Sequence, residues 1–135
     1  PKGGVVGGFA GAAADALTLF ERFEQKLDEY EGDLKRSVVE MAKDWRTDKI
    51  LRHLEALLLV MDKRNSFIIA GDVNVIEPDG PIVAIGSGGG FAQAAATAFH
   101  QSGKFSVKQI VEKSLKITAD LCIYTNDSIT VLELK

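Results

Sequence analysis

The sequence predicts an α+β fold built in layers, with pairs of helices covering packed sheets. Three observations carry that expectation. Two separated regions place apolar residues at helical spacing, so each helix buries one face. Around them run short apolar segments of strand length, bounded by Gly, Pro, Asn and Asp. The elements also come in runs: strand, two helices, four strands, two helices, strand. Strict alternation, the mark of a parallel α/β sheet, is missing. With 135 residues, the chain is expected to be one domain spanning 1–135, long enough to bury a real core.

The elements follow in order. "VVGGFAG" (Val5–Gly11) reads as a strand running into a glycine-rich turn. From about Ala12 to Tyr30, Ala16, Phe20, Phe23 and Leu27 fall on one helical face, with Leu17 alongside. Gly32 stops this helix, and Asp33 is a suitable N-cap for a second one with Leu34, Val38, Met41, Ala42 and Trp45 as its apolar stripe. Trp45 is expected in the core or at a subunit interface. "ALLLVMD" and "SFIIAGD", separated by "KRN", read as a hairpin of two buried strands. "NVIEPDGP" adds a short strand and a Pro/Gly turn, and "IVAIGSGGG" a further strand ending in a glycine loop. "FAQAAATAFHQ" reads as an alanine-rich helix. A last helix opens on a Ser106–Gln109 capping box and carries Val107, Ile110, Val111, Leu115 and Leu121. "SITVLELK" reads as a closing strand.

Composition narrows the function classes. The net charge is −3, and the basic residues are dispersed beside acids, as in "KDWRTDK"; no clustered cationic face for nucleic acid is expected. The single cysteine, Cys122, can form no internal disulfide, which suits a reducing compartment. The longest apolar run, Ala56–Met61, is far too short for a bilayer, and the opening residues lack a signal-peptide pattern. His53 and His100 have no metal-ligand spacing with Cys or acids.

"GSGGG" (Gly86–Gly90) leaves three readings open. Gly86 and Gly88 begin a dinucleotide fingerprint, but its last glycine position is Phe91, and no Lys follows for a phosphate loop. A strand–loop–helix context would suit a phosphate at a helix N-terminus. A tight turn where backbone approaches backbone is favoured by residue chemistry alone. The third reading places Ser87 beside a reactive centre.

Several stretches together resemble the HslV (ClpQ) family, the proteasome-related peptidase subunits of bacterial ATP-dependent proteases. They are "GFAGAAADALTLFERFEQKL", "DWRTDKILRHLEALL", "VIEP", "AIGSGG" and "ADLCIYTN", in the family's order and approximate spacing. The resemblance implies the four-layer αββα sandwich of N-terminal nucleophile hydrolases. It implies a threonine peptidase, in which an N-terminal Thr hydroxyl attacks the peptide carbonyl and its own α-amine accepts the proton. A lysine brings the amine's neutral form into range, and backbone N–H groups hold the oxyanion.

Residue by residue, the resemblance implies that the Gly8–Gly11 turn faces substrate. Gly11 would lend its N–H to the oxyanion hole and Gly8 would line the specificity pocket. Ser87 would relay or orient protons beside the reactive threonine, and Asp120 would be an acid near the same centre. Carbonyls of Ala119, Cys122 and Thr125 would bind a sodium ion, although the family has Gly at the Ala119 position. Other departures are Gly90 for the family's usual Pro, and Asp72 and Val73 within "GDVNVIEP". Position 1 is Pro, and the family's leading strands, with nucleophile and lysine, have no counterpart here; Lys2 is not given that role. The chain as given is therefore expected to lack its nucleophile, to be inactive alone, and to expose a sheet edge prone to aggregation.

The implied partners are further copies of the subunit in two stacked hexameric rings (a dodecamer), a hexameric HslU ATPase that uses ATP, and unfolded protein substrates. No nucleic acid or membrane is expected. The implied location is the bacterial cytoplasm, or the mitochondrial matrix in a eukaryote. Two rivals stand beside this reading. One is a non-catalytic scaffold of the same fold; the other is a nucleotide-binding module.

Overall fold

The computed structural model describes residues 4–70 and 75–134. The Asp72–Val73 departure and Lys2 lie outside the described residues. The elements in chain order are β1 (Val6–Gly11), α1 (Ala13–Glu29), α2 (Leu34–Thr47), a 3-10 turn (Leu51–His53), β2 (Ala56–Met61), β3 (Ser66–Ala70), β4 (Val75–Ile76), α3 (Gly89–Ser102) and α4 (Val107–Leu121). They fall into two compact units, Pro1–Asp79 with Leu134–Lys135, and Gly80–Glu133.

In the first unit, four antiparallel strands in the order β1-β2-β3-β4 carry α1 and α2 on one face. Side chains alternate along each strand, so Leu58, Val60, Phe67 and Ile69 point to the helices and are at most 4% exposed. The helices supply the other half of this core through Leu19, Phe23, Leu27, Val38, Met41 and Trp45. Trp45 is core, and its indole N–H donates to Leu54 O at 3.4 Å. Leu17, by contrast, is exposed.

The boundaries have local causes. Glu31 (φ 54) sits just beyond α1 in the left-handed region, the Glu31 N–H donates to Asp28 O, and the Gly32 N–H reaches back to Leu27 O at 2.8 Å. This pair of reversed bonds closes the helix one residue before the glycine. Asp33 caps α2 as expected, accepting from Arg36 N at 3.1 Å. Arg22, Lys26, Asp44 and Asp48 then tie α1 to the end of α2, the tightest pair being Lys26 Nζ to Asp44 at 2.9 Å. That hydrogen bond holds the Lys26 ammonium pKa above its ordinary value, against the burial that lowers it. The β2–β3 hairpin turns on Asp62, whose carboxylate accepts from Arg64 N and Asn65 N.

The second unit packs α3 on α4. The buried residues are Gly89, Ala92 and Ala96 on α3 and Ile110, Ser114 and Thr118 on α4, most of them small. The Ser106–Gln109 capping box opens α4 with both reciprocal bonds, and Gly103 (φ 70) closes α3. Two expectations fail here. The segments Ile82–Ile85 and Ser128–Leu134 are not paired in a sheet among the described residues. Their β-branched composition suits a pleated surface, but a strand exists only where a neighbour accepts its backbone hydrogen bonds, and composition does not supply that neighbour.

Candidate active-site elements and relatives

In the first unit, β1 is the end strand of the sheet among the described residues, and its glycines differ in kind. Gly7 faces the helices, where an added Cβ would stand 2.6 Å from Phe20 Cζ. Gly8 pairs with Leu59 on the opposite face, with open space where its side chain would be. The expected Gly8–Gly11 turn is thus a continuous strand up to Gly11; Gly8 is mid-strand, paired through the ladder to β2. Only Gly11 bends. Its φ of +121° excludes most side chains, and a Cβ there would meet Ala56 Cα and Glu55 O, both at 2.9 Å.

A contact that spacing does not reveal lies beside this bend. Asp15, in the first turn of α1, accepts the Glu55 backbone N–H at 3.1 Å across 40 residues. The N-cap residue Ala12 offers no side-chain cap, so Asp15 is the acid at this helix end, and it reaches outward to the start of β2.

In the second unit, the glycine loop meets the end of α4. Gly86 (φ 101) turns the chain, and the Gly89 N–H donates to Gly86 O at 3.0 Å. The helix begins at Gly89, two residues before the expected Phe91. Gly88 lies so close to α4 that a Cβ would stand 2.5 Å from Thr118 Cγ2 and 2.9 Å from Thr125 Oγ1. Ser87, itself exposed, accepts a long contact from the Cys122 thiol at 3.9 Å. The Thr125 hydroxyl, then the Tyr124 N–H and Ser87, pull the Cys122 pKa below its ordinary value, against burial.

The structure therefore brings Ser87, Cys122 and Thr125 together. Asp120 is exposed in the last turn of α4, and no hydrogen bond among the described residues ties it to Ser87. Ala119 is half-buried in that same turn. Thr118 O accepts from Cys122 N at 2.8 Å, and Cys122 O accepts from Thr125 N at 3.1 Å. That fixes the chain from 122 to 125 and leaves Cys122 O a second lone pair. Among the described residues, no group of three His, Cys, Asp or Glu side chains is placed to hold a metal. The chain leaves α4 here with backbone carbonyl oxygens, the donor type that hard cations take. No helix among the described residues is long and apolar enough to cross a membrane.

Comparison with known proteins gives this arrangement a lineage. The family model of the proteasome subunit matches residues 2–134. The ATP-dependent protease subunit HslV of Aquifex aeolicus (strain VF5) is 54% identical over 133 residues, covering 98% of this chain and 76% of the relative. The crystal structure of the eukaryotic HslV from Trypanosoma brucei is 45% identical and superposes with a TM-score of 0.84, covering 91% of this chain and 71% of that one. A Thiobacillus denitrificans BPH structure, in complex with epoxomicin, shares 20% identity at a TM-score of 0.73, covering 98% and 77%; at that identity it supports the fold alone. The α+β architecture, the matched family model and the HslV identities agree, and the chain belongs to the proteasome family as a homologue of the protease subunit HslV.

Proposed function

We propose that the chain belongs to an ATP-dependent peptidase chamber that degrades unfolded proteins by attack of an N-terminal threonine. The observation that carries this reading is the 54% identity over nearly the whole chain to an ATP-dependent protease subunit. In this mechanism the threonine hydroxyl adds to the scissile carbonyl while the α-amine takes its proton. Neither the nucleophile nor the lysine that tunes the amine is assigned to a residue numbered here. The residues of this chain supply the surroundings. The Gly11 N–H faces the developing oxyanion, and Gly8, which has open space on its free face, lines the pocket for the substrate side chain. Ser87 orients the proton traffic, and Asp120 adds negative charge nearby. Carbonyls of Ala119, Cys122 and Thr125 would hold a sodium ion, which would supply a fixed positive charge beside the turn after α4.

The same reading assigns the partners: two stacked hexameric rings of the subunit, and a hexameric HslU ATPase that unfolds substrates with ATP. The compartment would be the bacterial cytoplasm, or the mitochondrial matrix in a eukaryote. The test uses the subunit expressed from its natural start. N-terminal sequencing and intact mass should give a mature terminal threonine. The assembled protein should hydrolyse a small fluorogenic peptide alone and degrade an unfolded protein only with the ATPase and ATP. A preparation that assembles but cleaves no peptide, or that cleaves unchanged after Thr→Ala at its first residue, overturns the reading.

A further inference from the structure

We infer that Asp15 is a positioning residue for the peptide-bond cleavage proposed above, acting through the Gly11 bend; the inference rests on that functional reading. The dipeptide Glu55–Ala56 is gripped at several points within the first unit. Gly11 lies directly against it, with room for no Cβ: the nearest atoms, Ala56 Cα and Glu55 O, would be 2.9 Å away. Gly11 and Ala56 are also partners in the β1–β2 ladder. Asp15 holds the Glu55 N–H at 3.1 Å, and the Trp45 indole holds Leu54 O from the core side. Gly11, Ala12 and the first turn of α1 thus form a short closed circuit with the start of β2, and the Asp15 hydrogen bond closes it.

Closure matters because of what stands at the bend. Gly11 occupies a region of backbone space, φ +121°, in which glycine has wide freedom. Nothing intrinsic to the residue fixes the direction of its amide. Direction is what an oxyanion donor needs, since the stabilisation depends on a preset dipole aimed at the developing charge. The contact with Glu55–Ala56 limits where Gly11 can go, and Asp15 limits where Glu55–Ala56 can go. Asp15 touches neither substrate nor reacting atoms in this scheme; it orients the residue that does. The hydrogen bond is also exposed, so water can replace the carboxylate at the Glu55 N–H with little cost to folding. A loss of activity out of proportion to any loss of stability is therefore the signature of positioning.

The test compares Asp15→Ala and Asp15→Asn in the assembled wild-type protease background, with kcat normalised to titrated active sites. Complete loss of an oxyanion donor typically costs 10²–10³-fold in kcat, and a misaimed one less, so Asp15→Ala should lower kcat about 10- to 100-fold. KM should stay within about twofold, because the donor acts on charge that develops after binding. Asp15→Asn keeps an acceptor oxygen and should recover most of kcat. Hydrogen exchange of the backbone spanning Gly11 and Glu55 should speed up in Asp15→Ala and not in Asp15→Asn. A wild-type kcat per titrated site in Asp15→Ala overturns the inference and leaves the peptidase reading standing. So does a loss confined to assembly or to the fraction of active sites. If the wild-type assembly cleaves no peptide, the functional reading falls first and carries this inference with it.

Discussion

Two substitutions two residues apart in the glycine loop should move stability in opposite directions. Gly88→Ala places a methyl 2.5 Å from Thr118 Cγ2 and 2.9 Å from Thr125 Oγ1, whereas carbons pack at about 3.5–4.0 Å. Something must therefore move by about 1 Å. Thr118 cannot yield easily. It is buried, β-branched within a helix, and its hydroxyl donates to Ser114 O at 2.7 Å. Turning its χ1 breaks that bond; keeping it forces α3 away from α4. Overpacking of this kind costs about 1–3 kcal/mol. The backbone at Gly88 (φ −91°, ψ 6°) is open to alanine, so strain contributes nothing, and the reduced freedom of the unfolded chain returns about 0.4–1 kcal/mol. The net expectation is a loss of about 1–2 kcal/mol.

Gly90→Ala meets nothing within 4 Å and lies inside the first turn of α3, so it should gain about 0.5–1 kcal/mol from helix propensity. Urea unfolding followed by far-ultraviolet circular dichroism reads both. With a slope of about 2 kcal/mol/M, the Gly88→Ala midpoint should fall by about 0.5–1 M, and that of Gly90→Ala should rise slightly. Equal losses at the two sites would mean that loop freedom, and not the contact with Thr118, explains the glycines. An unchanged midpoint for Gly88→Ala would mean that the helices can part without cost. Either result refutes the steric argument.

Three further outcomes follow from local chemistry. Glu31→Gly relieves a non-glycine residue at φ 54° beyond α1 and should raise stability by about 0.5–1 kcal/mol, read as a higher melting temperature; a fall would show that the Glu31 side chain makes up for its backbone cost. Ser114→Ala removes a buried hydroxyl that has no hydrogen-bond partner among the described residues, and should be neutral or stabilising by up to about 1 kcal/mol in the same measurement. The carboxylate of Asp48 is held below its ordinary pKa by the Leu51 and Ile50 N–H groups, with Arg22 assisting. A lowered folded pKa gives stability that is complete above the unfolded value and lost as pH falls through the folded one. The stability gap between wild type and Asp48→Asn should therefore be flat above pH ~5 and close on acidification below pH ~4.

How much of this could be read from the sequence depends on where each residue's partner lies. Period and capping are local, so the helices and the β2–β3 hairpin were legible: Asp33, Ser106 and Gln109 form the caps their spacing implies. The apolar stripe of α2, from Leu34 to Trp45, is buried as its spacing requires. Pairing is not local. Ile82–Ile85 and Ser128–Leu134 have strand composition, yet nothing in those residues tells whether a neighbouring strand stands beside them. Asp15 has an ordinary helix-start signature, and its partner is 40 residues away. The family was legible through extended stretches such as "DWRTDKILRHLEALL", because many weak constraints along one order become specific together.

The glycines carry the same lesson into the functional elements. By composition, Gly7, Gly8, Gly11, Gly88 and Gly90 are alike, and "GSGGG" could cradle a phosphate as well as a bend. The atom opposite each one sorts them: Phe20 for Gly7, the Glu55–Ala56 backbone for Gly11, Thr118 and Thr125 for Gly88, and open space for Gly8 and Gly90. The loop thus lets α3 begin against α4, with Ser87 carried at the same contact beside Cys122. Gly8 has no such neighbour, so packing within its own unit does not require it to be glycine. In the proposed function substrate passes close to β1 at this point, and a larger residue there should exclude it. Gly8→Val should accordingly leave the melting temperature nearly unchanged while weakening peptide hydrolysis, chiefly through KM. If Gly8→Val instead unfolds the chain and leaves hydrolysis by the surviving fraction intact, the glycine serves the sheet and not the substrate.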